Sequence, residues 1–315
     1  MTKSIEIIVP VYNEELHIAR FFKNISEQSL GSDIDSIVFI VAPSTDNTLA
    51  EIEKLQDSRI RVLINEKRYV AFGLNAAIRN SSADYLVRMD VHSEYPNDYI
   101  EVLYNTAAEF KSDNCGGYIV LPELEGLQAI IGQAFVSKIG TGGSQWHNKP
   151  IPGPTDSVPF GFWRRDAFEK YGLFEESLIR NQDDEHNYRI NKMGGKVIIT
   201  DKTYAAYFPR RNFGALFKQY FQFGLYKVLS GRMTFLRARH YAPSLFVSFI
   251  LLASFFDLTM FCILCVGYIG AIALFFPREK LRWIQLPAFI TAVITMHISY
   301  GIGFLCGHVY FFRRL

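Results

Sequence analysis

Two acidic groups and an imidazole alternate along one short stretch of this chain. Asp90, His92 and Glu94 follow the strand-like run 84–87 at positions i, i+2 and i+4. In an extended segment these positions share one face, so the three side chains would point at one ion. Carboxylate oxygen with imidazole nitrogen suits Mn2+ or Mg2+, whereas a structural zinc site would need a thiolate that no nearby Cys supplies. The alternative is a strand end whose polar residues face water.

Three consecutive acids, Asp183, Asp184 and Glu185, lie in the run 181–189. A carboxylate held beside a hydroxyl group can take its proton as a general base. Repulsion between neighbouring carboxylates raises the pKa of one of them, which makes it a stronger base near neutral pH. The alternative is the solvated first turn of a helix, where the helix dipole favours acidic side chains.

Further candidates follow the first three strand-like runs. Tyr12 has a flat face that suits stacking on a nucleotide base, and Pro10 fixes the turn that presents it, although such a turn can be purely structural. Lys67 and Arg68 follow the third run, where they would reach phosphates or would simply be solvated. Asp46 lies among helix-capping residues, so it either contacts a ligand or caps the next helix.

Strand-like and helix-like segments alternate through the first part of the chain. The predicted strands are 4–9, 36–41, 61–64 and 84–87, and the predicted helices between them are 14–28, 49–56 and 71–79. Repeated β/α alternation predicts a mostly parallel sheet covered by helices, with ligands at the carboxyl ends of the strands. Tyr12, Asp46 and Asp90 all fall at those ends.

Three ordered motifs carry a resemblance to a known family. Residues 10–15 read Pro-Val-Tyr-Asn-Glu-Glu, residues 90–92 read Asp-Val-His, and residues 181–189 read Asn-Gln-Asp-Asp-Glu-His-Asn-Tyr-Arg. They resemble the opening motif, the Asp-x-Asp motif and the later acidic motif of glycosyltransferase family 2, the inverting GT-A sugar transferases. The Met-Asp-x-His form and residues 158–161 are most similar to the bacterial exopolysaccharide glucosyltransferases of the succinoglycan type.

The resemblance implies an α/β fold of the GT-A class, a Rossmann-like mixed sheet that binds a nucleotide-diphosphate sugar. It implies Asp183 as the catalytic base of an enzyme that depends on a metal and inverts the anomeric centre. Asp90 and His92 would hold Mn2+ or Mg2+, with Glu94 as a weaker third ligand. The implied donor-binding residues are Pro10, Tyr12, Glu14, Asp46, Lys67 and Asp90.

The chain departs from the family pattern at the end of the second strand. Where the family usually has an Asp that contacts the nucleotide base, this chain reads Val41-Ala42-Pro43-Ser44. Uridine specificity is therefore left open. His92 also differs from the commonest form of the metal motif, and it matches the exopolysaccharide branch.

Composition fits one catalytic domain followed by a membrane tail. The 315 residues carry a formal net charge of +2, which gives no reason to invoke nucleic acid as a partner. Charged residues within the first 15 positions argue against a signal peptide, so the catalytic domain is expected on the cytoplasmic side of the cell inner membrane. Three of the four cysteines lie in apolar segments, which favours helix packing over a redox pair or a metal site.

The pattern of the chain changes after the acidic motif. Apolar and aromatic residues recur at helical spacing through 213–225, which predicts an amphipathic helix in the membrane interface or against its own domain. Apolar blocks follow at 243–276 and 284–312. The predicted domains are a GT-A catalytic domain at 1–211, an interfacial helix with a basic linker at 212–242, and membrane-embedded hydrophobic helices at 243–315.

Basic residues flank both apolar blocks. They are Arg239 before the first block, Arg278, Lys280 and Arg282 between the blocks, and Arg313 and Arg314 after the second. A cytoplasmic preference of all three clusters predicts an even number of crossings per block, as in hairpins, and three full spans are the alternative. Gly301, Gly303 and Gly307 fit close helix packing, and His297 is either functional or a buried imidazole with satisfied hydrogen bonds.

The expected function is transfer of a sugar from a nucleotide-diphosphate donor onto a polyprenyl-linked saccharide in surface or exopolysaccharide biosynthesis. The expected partners are the donor, the lipid-linked acceptor and the lipid bilayer. One alternative is a polyprenyl-phosphate sugar synthase, whose acceptor is the lipid phosphate itself. Another is a catalytically inactive scaffold in a polysaccharide assembly complex, which Ala42 and His92 favour and intact Asp90 and Asp183 disfavour.

Overall fold

The computed structural model describes residues 4–142, 145–147, 149–234, 236 and 238–312. Two of the predicted flanking cations, Arg313 and Arg314, lie outside the described residues. The chain divides into two compact units, Met1–Val120 with Gln145–Tyr207 and Leu121–Ser144 with Phe208–Leu315. Leu121–Ser144 is therefore grouped with the carboxyl-terminal helices, whereas the sequence pattern had placed these residues in a catalytic domain at 1–211.

The described residues form eight strands and twelve α-helices. The strands are β1 (Ile5–Val11), β2 (Ile34–Val41), β3 (Ile60–Ile64), β4 (Tyr85–Arg88), β5 (Asn114–Val120), β6 (Gly153–Pro154), β7 (Phe162–Arg164) and β8 (Val197–Ala206). The helices are α1 (Ile18–Ser26), α2 (Thr48–Glu53), α3 (Val70–Arg79), α4 (Tyr99–Phe110), α5 (Gly126–Val136), α6 (Lys138–Thr141), α7 (Asp166–Tyr171), α8 (Gln182–Lys192), α9 (Phe213–Met233), α10 (Ala238–Phe256), α11 (Leu258–Leu274) and α12 (Leu286–Phe312).

One sheet forms the centre of the first unit, with the strand order β3-β2-β1-β4-β7-β5-β8-β6. Strands β1 to β4 pair in parallel, and β7 runs antiparallel to both β4 and β5. The predicted mixed α/β sheet is confirmed. Ile5, Ile7, Ile8 and Val9 of β1 are fully buried, because a central parallel strand is covered on both faces.

The carboxyl ends of β1, β2, β3 and β4 lie at one edge of this sheet. The chain order reverses there, since β2 lies on one side of β1 and β4 on the other. Ligands of open α/β sheets bind in the crevice at such a reversal. The segments after these four strands carry Tyr12, Asp46, Lys67 and Asp90, so the fold brings four predicted donor-binding residues to the same edge.

In the second unit, α9 and α12 pack along each other through glycine. A Cβ at Gly303 would overlap the carbonyl oxygen of Phe221 on α9, and a Cβ at Gly224 would overlap that of Tyr300 on α12. Gly301 approaches the backbone of α10 in the same way. The predicted role of these small residues in close helix packing is confirmed.

Helix α9 contains the predicted amphipathic segment, and much of its apolar face is covered by protein. Leu216, Tyr220, Gly224 and Val228 are buried at helical spacing, and Val228 packs with Phe304 of α12. These contacts support the interpretation in which the helix packs against its own unit. A position of α9 in the membrane interface stays a prediction.

The first apolar block forms two helices, and the second forms one. Helix α10 ends at Phe256, and the Asp257 carboxylate caps α11 by accepting a hydrogen bond from the Met260 N–H. Helix α12 runs for 27 residues, so the predicted hairpin in the second block is wrong. Its glycines contact neighbouring helices and form no turn. Within the described residues, one helix is long and apolar enough to cross a membrane, and it spans Trp283–Phe311.

His297 on α12 is a buried imidazole with both ring nitrogens in hydrogen bonds. Its Nδ1 lies 2.7 Å from Tyr268 Oη on α11, and its Nε2 donates to the Ile139 carbonyl oxygen at 2.7 Å. The structural alternative for this histidine is confirmed.

We expect Gly303→Ala to destabilise the second unit by about 1 to 3 kcal/mol, because the added methyl group forces α9 away from α12. The measurement is the thermal unfolding midpoint of the purified protein. Gly267→Ala on α11 is the matched control, since its Cβ meets nothing within 4 Å. Equal midpoints for the two variants would contradict the close packing of these helices.

Candidate functional site

The turn after β1 is fixed against the loop after β2. Asn13 has a positive φ of 55°, which its short polar side chain tolerates. Its backbone N–H donates to Ser44 Oγ at 3.1 Å, and its Oδ1 accepts from the Thr45 N–H at 2.8 Å. This interlocking holds Tyr12 and Glu14 at the carboxyl edge of the sheet.

Asp46 also joins the segment after β1 to the segment after β2. Its carboxylate accepts hydrogen bonds from the Thr48 N–H at the start of α2 and from the Glu15 N–H. Desolvation alone would raise the pKa of Asp46, but hydrogen bonds from the Thr48 hydroxyl and from the Glu15 and Thr48 N–H groups lower it overall. The capping alternative is therefore what the geometry shows, and a contact between Asp46 and a donor stays a prediction.

Tyr12 is 48% exposed, and a cation lies on its ring. The Arg68 guanidinium lies 5.3 Å from the ring centroid and donates to Tyr12 Oη at 3.2 Å. Lys67 instead places its ammonium 4.5 Å from the centroid of the Phe72 ring. The sequence had left the choice between the two cations open, with Lys67 as the candidate donor ligand. The structure places Arg68 beside Tyr12.

The segment around Asp90 does not continue the strand. Strand β4 ends at Arg88, and the Ser93 N–H donates to the Asp90 carbonyl oxygen at 3.0 Å, which closes a turn. The Asp90 N–H donates to Tyr95 Oη at 2.8 Å, so a buried side chain takes the place of a neighbouring strand as its partner. The expectation that residues 90, 92 and 94 share one face of an extended segment is wrong.

The turn separates the three predicted metal ligands. Glu94 Oε1 forms an ion pair with Arg20 Nη1 at 2.8 Å, and the Glu94 backbone pairs with Ala206. His92 Nδ1 lies 3.1 Å from Glu14 Oε1. Within the described part of the chain, no three His, Cys, Asp or Glu residues are close enough together to hold an ion. The predicted three-residue cluster with Glu94 is therefore not formed, and metal binding by Asp90 and His92 stays a prediction.

Arg88 is a site residue that the sequence patterns missed. Its Nε and Nη2 donate to the two carboxylate oxygens of Asp90 at 2.9 and 3.0 Å, and both side chains are largely buried. Burial opposes the charge, but the Asp90 and Asp183 carboxylates raise the pKa of Arg88 overall. The available signal was a cation two residues before Asp90, at the end of an otherwise apolar strand.

Asp183 lies in the first turn of α8, after Asn181 in the left-handed conformation. Burial and the neighbouring Asp184 raise the pKa of Asp183, and Arg88 partly offsets that rise. The Asp184 N–H donates to Asp183 Oδ1 at 3.0 Å. The surroundings of Asp183 therefore disfavour its charged form, and its role as a general base stays a prediction.

Buried polar contacts fix α8. His186 stacks on Phe168 at a centroid distance of 5.1 Å and donates from Nε2 to the Gly172 carbonyl oxygen. Burial, with a smaller contribution from Arg189, lowers the pKa of His186 to about 3, so the imidazole is neutral. One helical turn after Asp183, Asn187 accepts from Asn114 Nδ2 and donates to Ser157 Oγ.

The loop 157–161 is bonded to both carboxylate-bearing segments. Ser157 accepts from Asn187 on α8, and the Gly161 carbonyl oxygen accepts from the Arg88 N–H at 3.1 Å. Phe160 and Gly161 both have positive φ angles, and strain of this kind is retained where a structure fixes a functional segment. The loop therefore sets the spacing between the Asp90 and Asp183 segments.

Sequence comparison identifies the family. A model described as "Glycosyl transferase family 2" matches residues 6–172, more than half of the chain. The chain belongs to glycosyltransferase family 2. The resemblance seen in the three motifs is confirmed, and the matched segment contains Asp90 and His92 while Asp183 lies beyond it.

Two curated proteins are similar to this one over much of the chain. The "Succinoglycan biosynthesis protein ExoA" of Rhizobium meliloti (strain 1021) is 32% identical over 222 residues, which cover 69% of this chain and 67% of that protein. The "Dolichyl N-acetyl-alpha-D-glucosaminyl phosphate 3-beta-D-2,3-diacetamido-2,3-dideoxy-beta-D-glucuronosyltransferase" of Methanococcus voltae is 25% identical over 307 residues, covering 94% and 95%.

A solved structure supports the fold. The mannosyltransferase PcManGT from Pyrobaculum calidifontis, in complex with GDP-Man and Mn2+, superposes with a TM-score of 0.62 at 17% identity. The match covers 95% of this chain and 88% of that chain. The predicted GT-A fold with an apolar carboxyl-terminal helix is confirmed.

Proposed function

We propose that this family 2 glycosyltransferase is an inverting, metal-dependent enzyme that transfers a sugar from a nucleotide-diphosphate donor to a polyprenyl-linked saccharide in surface or exopolysaccharide biosynthesis. The observation that carries the proposal is the arrangement around Arg88. Its guanidinium donates two hydrogen bonds to the Asp90 carboxylate, and the charge of the Asp183 carboxylate helps to raise the pKa of Arg88. We therefore assign the two carboxylates to one site, Asp90 to the donor and Asp183 to the acceptor.

The residues at the end of β4 fit a divalent ion in chemical type. Asp90 would supply carboxylate oxygens and His92 an exposed imidazole, and these ligand types suit Mn2+ or Mg2+. A bound ion would neutralise the negative charge that develops on the pyrophosphate leaving group. Arg88 holds the Asp90 carboxylate in a fixed orientation, and Glu14 does the same for the His92 ring.

Asp183 is the proposed general base. Its raised pKa makes it a stronger proton acceptor, and it takes the proton of the acceptor hydroxyl as that oxygen attacks the anomeric carbon. Attack from the face opposite the nucleotide inverts the anomeric centre. The buried contacts of His186 and Asn187 keep α8, and with it Asp183, in place.

We expect Arg88→Lys to raise the Mn2+ concentration for half-maximal activity by roughly 10-fold, because an ammonium cannot form the two parallel bonds to Asp90. The acid side of its pH–rate profile should stay in place, since the positive charge is kept. Arg88→Gln should move that side to higher pH, because losing the charge that lowers the pKa of Asp183 raises that pKa further. Unchanged metal dependence in both variants would contradict the positioning role.

Membrane attachment is proposed from the second unit. Helices α10 and α11 carry large apolar side chains that are strongly exposed, including Leu245, Phe255, Phe256, Ile263 and Val266. Apolar faces of this extent favour a lipid environment. We place the protein in the cell inner membrane with its catalytic unit on the cytoplasmic side. The lipid-linked acceptor named for the Methanococcus voltae relative supports the same acceptor class.

A transfer assay tests the proposal. Membranes that contain the full chain are supplied with radiolabelled nucleotide sugars and either lipid-linked oligosaccharide or polyprenyl phosphate, and membranes with Asp183→Asn are the control. Label on the lipid-linked oligosaccharide is the expected result. Label on lipid monophosphate would identify a polyprenyl-phosphate sugar synthase, and no transfer from any donor would identify a scaffold. Either of these results would overturn the proposed reaction.

A further inference from the structure

The segment between α11 and α12 presents three cations on one short loop. Arg278, Lys280 and Arg282 are all exposed, and Glu279 is the one acid in the run 277–283. The loop therefore carries a formal charge of +2 within seven residues. We call this segment the 277–283 loop.

An exposed aromatic ring accompanies the cations. The Trp283 ring is 59% exposed, and the Arg278 guanidinium lies 4.9 Å from its centroid. On either side of the loop, Leu274 and Ile284 are each at least 80% exposed. Tryptophan at the boundary between exposed apolar residues and basic residues is typical of the headgroup level of a membrane.

The loop is held by its own contacts and by those of Phe276, the residue before it. Phe276 and Leu281 are buried, and the Phe276 ring packs against Phe289 of α12. The Leu281 N–H donates to the Pro277 carbonyl oxygen, and the Arg282 N–H donates to Gln285 Oε1. The cations are thus attached to a fixed backbone, so binding a ligand there costs little chain entropy.

We propose that the 277–283 loop binds the headgroups of anionic lipids in the bilayer. The proposal rests on the membrane attachment in the proposed function and adds the lipid class and the residues that recognise it. Guanidinium and ammonium groups pair with lipid phosphates and with the negative surface of an anionic leaflet. Trp283 places its ring among the headgroups, and Leu274 and Ile284 lie in the apolar layer below.

The test uses the full chain reconstituted in bilayers of phosphatidylcholine and phosphatidylglycerol. Electron paramagnetic resonance of spin-labelled lipids gives the preference of the protein for phosphatidylglycerol over phosphatidylcholine. We expect the protein to prefer phosphatidylglycerol, and each of the three cations should contribute a factor of about five at most. This preference should become weaker in 1 M salt. The triple variant R278Q/K280Q/R282Q should lose most of it. The matched control K23Q/K54Q/K192Q removes three exposed cations of the first unit and should keep it.

Several outcomes separate this proposal from the proposed function. A protein that inserts into the bilayer but shows the same lipid preference with and without the three cations would overturn the lipid site and leave membrane attachment standing. A wild-type protein that restricts neither lipid would overturn membrane attachment itself. Equal loss of preference in the control variant would show a general charge effect and would also overturn the loop as the binding surface.

Discussion

Asp183→Asn is expected to lower the transfer rate by roughly 100-fold or more while donor affinity stays nearly unchanged. Asparagine keeps the size of the side chain and can still accept the Asp184 N–H, but it cannot take a proton from the acceptor hydroxyl. The measurement is kcat with saturating donor and acceptor, together with donor binding by isothermal titration calorimetry.

Asp184→Asn is the matched control for that variant. Adjacent side chains on a helix diverge by about 100°, so Asp184 faces away from the position of Asp183. Its loss of charge removes a repulsion that raises the pKa of Asp183, so the acid side of the pH–rate profile should move to lower pH. A larger rate loss for Asp184→Asn than for Asp183→Asn would place the base one residue later in the chain.

Asp90→Asn is expected to lose nearly all turnover, roughly 1000-fold, even with saturating donor. A chelator should abolish wild-type activity, and Mn2+ or Mg2+ should restore it, because the ion proposed at Asp90 and His92 would neutralise the charge of the leaving pyrophosphate. Asparagine also breaks the paired contact with Arg88, which needs two carboxylate oxygens.

A direct measurement of metal binding separates the loss of a metal ligand at Asp90 from the loss of its contact with Arg88. Titration of Mn2+ in the presence of the nucleoside diphosphate, followed by electron paramagnetic resonance, should show weaker binding for Asp90→Asn and for His92→Ala. Glu94→Gln should bind Mn2+ as the wild type does, since Glu94 pairs with Arg20. Full wild-type activity in excess chelator would rule out the metal assignment altogether.

The sheet could be predicted because its determinants are local. Apolar strands separated by helix-like segments specify parallel pairing, and the edge that carries Tyr12, Asp46 and Asp90 follows from chain direction alone. The acid in the first turn of α8 was also readable, since a run of acids marks a helix start.

The geometry around Asp90 could not be predicted because it depends on contacts distant in sequence. The pairing of Glu94 with Arg20 and of His92 with Glu14 joins segments that only the folded sheet brings together. The hydroxyl of Tyr95 ends β4 by binding the Asp90 N–H, whereas β-strand periodicity assumes that a strand continues. Arg88 was missed because its one sequence signal, a cation two residues before Asp90 at the end of an apolar strand, does not specify the carboxylate with which it pairs.

The division of the chain into units has a consequence for its synthesis. Helix α5 buries Ile130, Ile131 and Ala134 in the second unit and packs against α12, which begins 150 residues after α5 ends (286 − 136 = 150). At typical translation speeds the apolar face of α5 would wait about 8 to 30 s for its partner. Nascent chains would expose that face to chaperones or to the membrane surface during the delay. A single proteolytic cut also cannot release the first unit, because the chain passes from one unit to the other three times.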